Sequence, residues 1–389
     1  MNKLTLFLFI SLHAFMSAHA MEHDRTLFTE KYARADSSRR PGQNVRVIFW
    51  NVENLYDSHD DTLTLDEEFS PEGSKRWSYT RYRTKLDHLA KVILAAGGWD
   101  PPGIVGLCEI ENRYVLNKLV YDSPLKPLGY RIIHRDSPDL RGVDVALLYR
   151  KETFIPLHQE WIRIRFPFDT AVRTREILYV KGILLNADTL HLFVNHWPSR
   201  MGGEMQSAPR RNYVAQVLRE KVDSIMLNYE LRIKNYELTD TRYQSPVTSH
   251  QSPVTHQYPS ILIMGDFNDE PENESLRTIL QAKLDTMKIH PSGLVNLMGT
   301  IQGMEGSHKY REHWGMLDQF IVSGSLLQQD NSLHVNPAGT TIFRPAFLLE
   351  DDLKYLDKKP KRTYLGPKYQ GGFSDHLPIY VDIKVNGKQ

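Results

Sequence analysis

The chain of 389 residues has a single cysteine, Cys108, so no disulfide can close within it and its stability must come from a packed core. A surplus of charge is missing too. Forty-eight Lys and Arg stand against forty-seven Asp and Glu, a net charge of +1, which excludes a generally basic nucleic-acid-binding surface and makes any phosphate recognition a local matter. Beyond residue 20 there is no apolar run long enough to cross a bilayer, so no stable membrane insertion is expected. What is present is 41% hydrophobic residues, ample for one large domain or two smaller ones.

Lys3, the mostly apolar run Leu4 to Met16, and Ala18-His19-Ala20 predict a signal peptide over residues 1–20 and export to the periplasm or medium; an N-terminal anchor or a buried strand is the plainer alternative. Residues 21–43 read as a polar leader ending in Arg39, Arg40, Pro41 and Gly42, and the folded domain is expected over 44–386. Apolar runs suited to buried strands recur at Val45–Trp50, Gly103–Leu107, Val143–Tyr149, Ile177–Leu185, Leu190–Asn195, Ile261–Met264, Leu317–Val322 and Leu377–Ile383. Helical periodicity appears over Tyr82–Ala96 and Tyr213–Met226. Strands outnumber helices, which argues for sheets packed face to face with helices outside. Asn228-Tyr-Glu-Leu recurs as Asn235-Tyr-Glu-Leu, and Gln244-Ser-Pro-Val-Thr as Gln251-Ser-Pro-Val-Thr. Two short copies with Pro246 and Pro253 do not make a coiled coil, so 229–259 reads as an inserted low-complexity surface loop.

Five polar motifs sit at predicted strand ends, where side chains converge on one edge of a sheet. Asn51 and Glu53 follow the first strand two residues apart, on one side of extended chain; hard oxygens at that spacing suit Mg²⁺ or Mn²⁺, although a polar turn reads equally well. Glu109 ends the next apolar run, Glu111 suits a helix cap as well as a site, and Cys108 reads as a small core residue. Asn195-His196-Trp197-Pro198-Ser199 ends a third; a lone histidine there is more often structural. In Gly265-Asp266-Phe267-Asn268 the glycine permits close backbone approach to a ligand, while Asp266 and Asn268 share a face. Last come Asp318 at a strand start and Ser374-Asp375-His376; a buried aspartate elsewhere can orient His376 through one ring nitrogen and leave the other for a water proton.

Taken in order, Asn51/Glu53, Glu109, His196, Gly265-Asp266-Phe267-Asn268, Asp318 and Ser374-Asp375-His376 resemble the motifs of the endonuclease/exonuclease/phosphatase superfamily from about Val45 to Ile383. The resemblance implies a four-layer α/β sandwich, two central mixed β-sheets flanked by helices, with a divalent ion, Mg²⁺ or Mn²⁺, at their common edge. It implies Glu109 as main metal ligand, assisted by Asn51 and by Glu53 or Asp375. Asp266 and Asn268 would position water and phosphoryl oxygens, His376 paired to Asp318 would act on the water or the phosphorus, and His196 would be the second histidine. Arg141, Asp144 and Ser199 are candidate substrate contacts. Arg113, Arg200, Arg210, Arg211, Lys309 and Arg311 read either as a phosphate-binding groove or as solvated charge, and Tyr310 and Trp314 as base-stacking or packing residues. Met264 and Asp269 beside the Gly-Asp-x-Asn motif, and Gly315-Met316-Leu317 before Asp318, depart from the inositol-phosphatase and abasic-endonuclease patterns. The expectation is therefore a monomeric secreted nuclease or general phosphodiesterase acting on nucleic acid or another phosphodiester. A phosphatase or sphingomyelinase-like lipid-headgroup phosphodiesterase comes next, then a non-catalytic binding protein on the same scaffold.

Overall fold

The computed structural model describes residues 44–185, 188–240, 258–286, 289–301, 306–355 and 357–386. The signal peptide expected over 1–20, the leader over 21–43 and both Gln-Ser-Pro-Val-Thr copies lie outside the described residues. The strands are β1 (Asn44–Leu55), β2 (Ile104–Ile110), β3 (Arg131–His134), β4 (Asp144–Tyr149), β5 (Phe154–Ile162), β6 (Ile177–Leu184), β7 (Asp188–His196), β8 (Ser260–Asp266), β9 (Ala282–Lys283) and β10 (Leu294–Asn296). They continue with β11 (His308–Tyr310), β12 (His313–Gly315), β13 (Asp318–Ser323), β14 (Leu333–Val335), β15 (Thr341–Ile342), β16 (Leu349–Asp352), β17 (Asp357–Pro360), β18 (Tyr364–Leu365), β19 (Lys368–Tyr369) and β20 (Ile379–Val385). The α-helices are α1 (Tyr79–Gly97), α2 (Arg113–Tyr121) and α3 (Glu204–Asp240). Among the described residues no helix is long and apolar enough to cross a membrane.

Two seven-stranded sheets form the centre: one in the order β14-β20-β1-β2-β4-β3 with β15 on β20, the other β5-β6-β7-β8-β13-β10-β9. Each strand of the middle feeds both layers by alternation. Leu190, Leu192 and Val194 of β7, Leu262 and Met264 of β8, and Phe320 and Val322 of β13 face the core between the sheets. Phe193, Ile261, Ile263 and Ile321 point the other way, onto Val214, Ala215, Leu218 and Val222 of α3. Leu86, Leu89 and Ile93 of α1 with Val115, Leu116 and Leu119 of α2 belong to the first sheet's core. Each fully buried side chain of this kind contributes about 1.5–3 kcal/mol, and a one-residue slip would exchange the two faces, so the alternation sets the register. The result is the four-layer α/β sandwich, with mixed sheets because β1/β2 and β7/β8 are parallel and their neighbours antiparallel.

Two expectations change. The helix α3 runs on to Asp240, so both Asn-Tyr-Glu-Leu copies are helical and the loop expected over 229–259 does not begin at Tyr229; between Pro209, in the helix's second turn, and Pro246 there is no proline, and residues 241–257 lie outside the described set. Gly265 serves strand packing rather than a ligand: a Cβ there would stand 2.5 Å from the Asn195 Cβ and 2.7 Å from its carbonyl oxygen.

Candidate active site

The topology explains why distant motifs meet. Each sheet carries one parallel β-α-β crossover, β1-α1-β2 and β7-α3-β8, so Asn51, Glu109, His196 and Asp266 all lie toward the C-terminal ends of central strands. The flanking strands β13 and β20 run antiparallel, which brings their starts, with Asp318 and His376, to the same edge. In the second sheet His196, Asp266 and Asp318 are register partners in one row. In the first, register shifts interrupt β1 between Asn51 and Leu55 and β2 between Cys108 and Ile110. There Glu53, Asn54 and Glu109 take φ of 52°, 58° and 62°, and Asn268 takes 52° beyond β8. Left-handed backbone at four non-glycine residues costs about 1–2 kcal/mol each, and here it turns the polar side chains out of the pleat.

Two imidazoles converge on Asp266. Its Oδ2 lies 3.7 Å from His196 Nε2 and 3.9 Å from His376 Nε2, and accepts from Asn51 Nδ2 at 3.0 Å. The Asn268 amide donates to Asp266 Oδ1 at 3.0 Å, and Asn268 Nδ2 donates to the Trp197 carbonyl. His376 donates from Nδ1 to Asp318 Oδ2 at 2.6 Å. Ser374 Oγ donates to the Asn51 carbonyl and accepts from the His376 amide, while Trp50 Nε1 donates to the His376 carbonyl. The two histidines differ electrically. Burial opposes charge on His376, but Asp318 and Asp266 outweigh it and hold the imidazolium well above the usual histidine range. Burial, joined by Arg175, Arg141 and His376, pushes His196 well below that range, and its buried Nδ1 has no hydrogen-bond partner among the described residues. Burial and Asp318 push Asp266 up to about 7 against the pull of His376.

Glu109 accepts the Asn54 amide on Oε2 at 2.9 Å. Its Oε1 has only longer neighbours, Arg141 Nη2 at 3.8 Å and His196 Nε2 at 3.9 Å. That oxygen, on a partly exposed carboxylate that follows Cys108, the register partner of Asn51, is a hard donor of the kind a small divalent cation takes, so the residues present fit the metal that the sequence implies. Ligand-type atoms of Cys108, His196 and Asp266, and of Asp266, Asp318 and His376, also lie within 4.8 Å of one another. Burial and the Asp266 and Glu109 charges push the Cys108 thiol well up, which leaves it a protonated core side chain.

Other expected residues are drawn elsewhere. Glu53 accepts from the Thr363 amide at 2.5 Å and the Tyr364 amide at 3.2 Å and pairs with Arg362 at 3.4 Å, so both its oxygens hold the 362–364 segment. Asp375 turns to Arg362 Nη2 at 2.7 Å. Arg141 reaches the site, donating to Asn54 Oδ1 at 2.7 Å. Asp144 is instead occupied by His134 Nε2 at 3.0 Å and the Ser137 amide at 2.8 Å, and Ser199 Oγ accepts from the Met201 amide. Arg211 is buried against Ser207 and Asp269, and the Lys309 side chain against Asp352 and Asp357, so neither lines a groove. Sequence reading missed Arg175, Arg362, Lys85 and His308, whose ring lies tilted by 39° against that of His376 with centroids 4.7 Å apart.

Glu111 caps no helix; Asn112 does, accepting from the Val115 amide, while Glu111 accepts the Asp57 amide at 2.5 Å. Burial pushes Glu111 up to about 8, the Asp57 amide countering only in part. Its folded value lies above its unfolded one, so the stability it contributes is fully present below the unfolded carboxylate range and is lost as pH rises through about 8. Urea unfolding of the metal-free protein between pH 5 and about 9 is expected to show this decline, and Glu111→Gln to flatten it; an unchanged slope in the variant refutes the assignment.

A sequence profile of the Endonuclease/Exonuclease/phosphatase family matches residues 46–233 and 253–385. No curated protein matches in sequence. Among solved structures, the chain is similar to TDP2 of D. rerio, humanized by 14 mutations, with 14% identity over 87% of this chain and 98% of that one and a TM-score of 0.50. It is also similar to an endonuclease/exonuclease/phosphatase family protein from Bacteroides thetaiotaomicron, with 13% identity over 89% of this chain and 100% of that one and a TM-score of 0.50. At these identities the likeness is one of fold.

Proposed function

The chain belongs to the endonuclease/exonuclease/phosphatase family and is a divalent-metal-dependent phosphoesterase, and from that premise we propose that it is an exported, monomeric nuclease or general phosphodiesterase working with Mg²⁺ or Mn²⁺. The reading rests on one observation above the others: two imidazole Nε2 atoms stand 3.7 and 3.9 Å from a single oxygen of Asp266, and one of the two is backed by Asp318 at 2.6 Å.

A phosphodiester carries a charge that repels an approaching hydroxide, so hydrolysis needs positive charge on the non-bridging oxygens, a group that takes the water proton in line, and help for the departing oxyanion. Glu109 and Asn51 would hold the metal, which supplies Lewis acidity toward the phosphoryl oxygens. Asp266, fixed by Asn51 and by the Asn268 amide, accepts from the attacking water and orients it. The Asn268 side chain and the charged His376 donate to phosphoryl oxygens as their negative charge grows. His196, neutral, offers Nε2 to the same space. Arg141 extends the positive flank beside Glu109. A binding relic on this scaffold would have no need for the Asp318 pairing, which disfavours the non-catalytic reading.

The test is turnover of duplex DNA, RNA, a chromogenic diester, a chromogenic monoester and sphingomyelin, each with Mg²⁺ and with chelator. Diester cleavage that chelator abolishes and Mg²⁺ or Mn²⁺ restores is the expected result. Cleavage of the monoester or sphingomyelin alone would move the substrate to the phosphatase or lipid-headgroup class, and turnover indifferent to chelator would remove the metal from the scheme.

A further inference from the structure

We propose that Arg362 is a specificity-determining residue that binds a second phosphate of the substrate, next to the one being cleaved; this rests on the phosphodiesterase reading and narrows its substrate class. Arg362 lies between β17 and β18 on a segment pinned from several sides. The Lys361 amide donates to the Leu348 carbonyl at 2.8 Å and the Phe373 amide donates to the Lys361 carbonyl at 2.6 Å. The Thr363 and Tyr364 amides are held by Glu53, and Thr363 Oγ1 accepts from Lys85 Nζ at 2.5 Å. With its backbone fixed, the guanidinium is then oriented by two carboxylates, Nη2 on Asp375 at 2.7 Å and Nε toward Glu53 at 3.4 Å.

That arrangement leaves a donor over. Among the described residues nothing accepts from Arg362 Nη1, and a third of the side chain, 34%, is exposed. Glu53 does not depend on Arg362 alone, because the Thr363 and Tyr364 amides also donate to its two oxygens, at 2.5 and 3.2 Å. Its place is beside the reacting centre rather than in it. Arg362 pairs within 4.0 Å with Glu53 and Asp375 and, among the described residues, with none of Glu109, Asp266 or Asp318. Asp375 directly precedes His376, whose Nε2 lies 3.9 Å from Asp266 Oδ2. A held, partly exposed guanidinium with a free N–H, paired to the residue that directly precedes the catalytic histidine, is built to take an anionic oxygen from a neighbouring group of the same substrate. A phosphate next to the scissile one has two sources, a terminal phosphomonoester or the next phosphodiester of a strand.

The full chain is assayed with Mg²⁺ as wild type, Arg362→Gln and Arg362→Lys. The substrates are methyl p-nitrophenyl phosphate and dithymidine monophosphate, which carry one phosphate, and 5′-phosphorylated dithymidine monophosphate and trithymidine diphosphate, which carry two. Arg362→Gln is expected to raise KM for a two-phosphate substrate by roughly 10- to 100-fold while kcat, and both constants for the one-phosphate substrates, stay within about threefold. Arg362→Lys should recover part of that loss, as a point charge without the fork. A loss confined to the 5′-phosphorylated dinucleotide assigns the terminal phosphate, and one confined to the trinucleotide assigns the strand; either supports the proposal. Equal losses on one- and two-phosphate substrates, or a wild type that does not favour the second phosphate, overturn it. If Arg362→Gln does not fold, Arg362→Lys alone decides, by whether its KM rises only where a second phosphate is present. A wild type inactive on all four substrates would sink the phosphodiesterase reading itself, whereas an active wild type with uniform losses removes only the role of Arg362.

Discussion

Replacing His376 with alanine is expected to remove roughly 2–4 kcal/mol of transition-state stabilisation, about a 30- to 1000-fold fall in kcat, with little change in KM. The size follows from where the charge sits. Asp318 and Asp266 keep the His376 imidazolium charged inside a buried site, so its N–H is a preorganised donor that needs no rearrangement as the phosphoryl oxygens gain negative charge. The loss should not be one of folding. The loop is held by main-chain groups, the Ser374 hydroxyl on the Asn51 carbonyl and Trp50 Nε1 on the His376 carbonyl, and these survive removal of the ring. Asp318→Asn, which keeps the shape and weakens the hold on Nδ1, should give a smaller fall in kcat. Single-turnover cleavage of a chromogenic diester, with circular dichroism to confirm folding, measures both; near-normal turnover in His376→Ala would refute the assignment.

Most of this site is legible in sequence because its members end apolar strands, and the two sheets must bring central strand ends to one edge once both faces of each strand are buried. Asn51, Glu109, His196, Asp266 and Asp318 are readable for that reason. The pairing His376–Asp318 is partly readable, since a histidine in a buried edge needs an orienting acid, though a separation of 58 positions says nothing of which acid. What sequence does not disclose is the direction of side chains leaving irregular backbone. Glu53 and Asn54 are neighbours, yet two successive left-handed residues send one to Arg362 and the other to Arg141. Asp144 opens its strand beside the site region but is spent on His134. Lys85 is the clearest case. On α1 it precedes the apolar Leu86 and no motif marks it, but it is fully buried against the Phe373 carbonyl and Thr363, partners 288 and 278 residues away. The helical reach of α3 to Asp240 was hidden for another reason: a short repeat looks like low complexity whether or not it is helical.

Glu109→Ala is expected to cost a similar roughly 2–4 kcal/mol, but its signature should differ from that of His376→Ala. Glu109 Oε1 has its charged neighbours no closer than 3.8 Å, on a partly exposed carboxylate, so removal of that oxygen should weaken metal binding as well as turnover. Raising Mg²⁺ should therefore recover part of the lost rate in Glu109→Ala and none in His376→Ala. Backbone geometry provides the control for folding. Glu109 sits at φ 62°, where a side chain costs about 1–2 kcal/mol that glycine does not incur. Glu109→Gly should accordingly lose as much activity as Glu109→Ala while keeping or gaining stability in urea, a trade expected where a strained residue is retained for chemistry. Glu109→Gln keeps an acceptor for the Asn54 amide and loses only the charge, so it isolates the electrostatic part. Near-normal turnover in any of the three, or a deficit in Glu109→Ala that no concentration of Mg²⁺ or Mn²⁺ reduces, would take Glu109 out of the metal site.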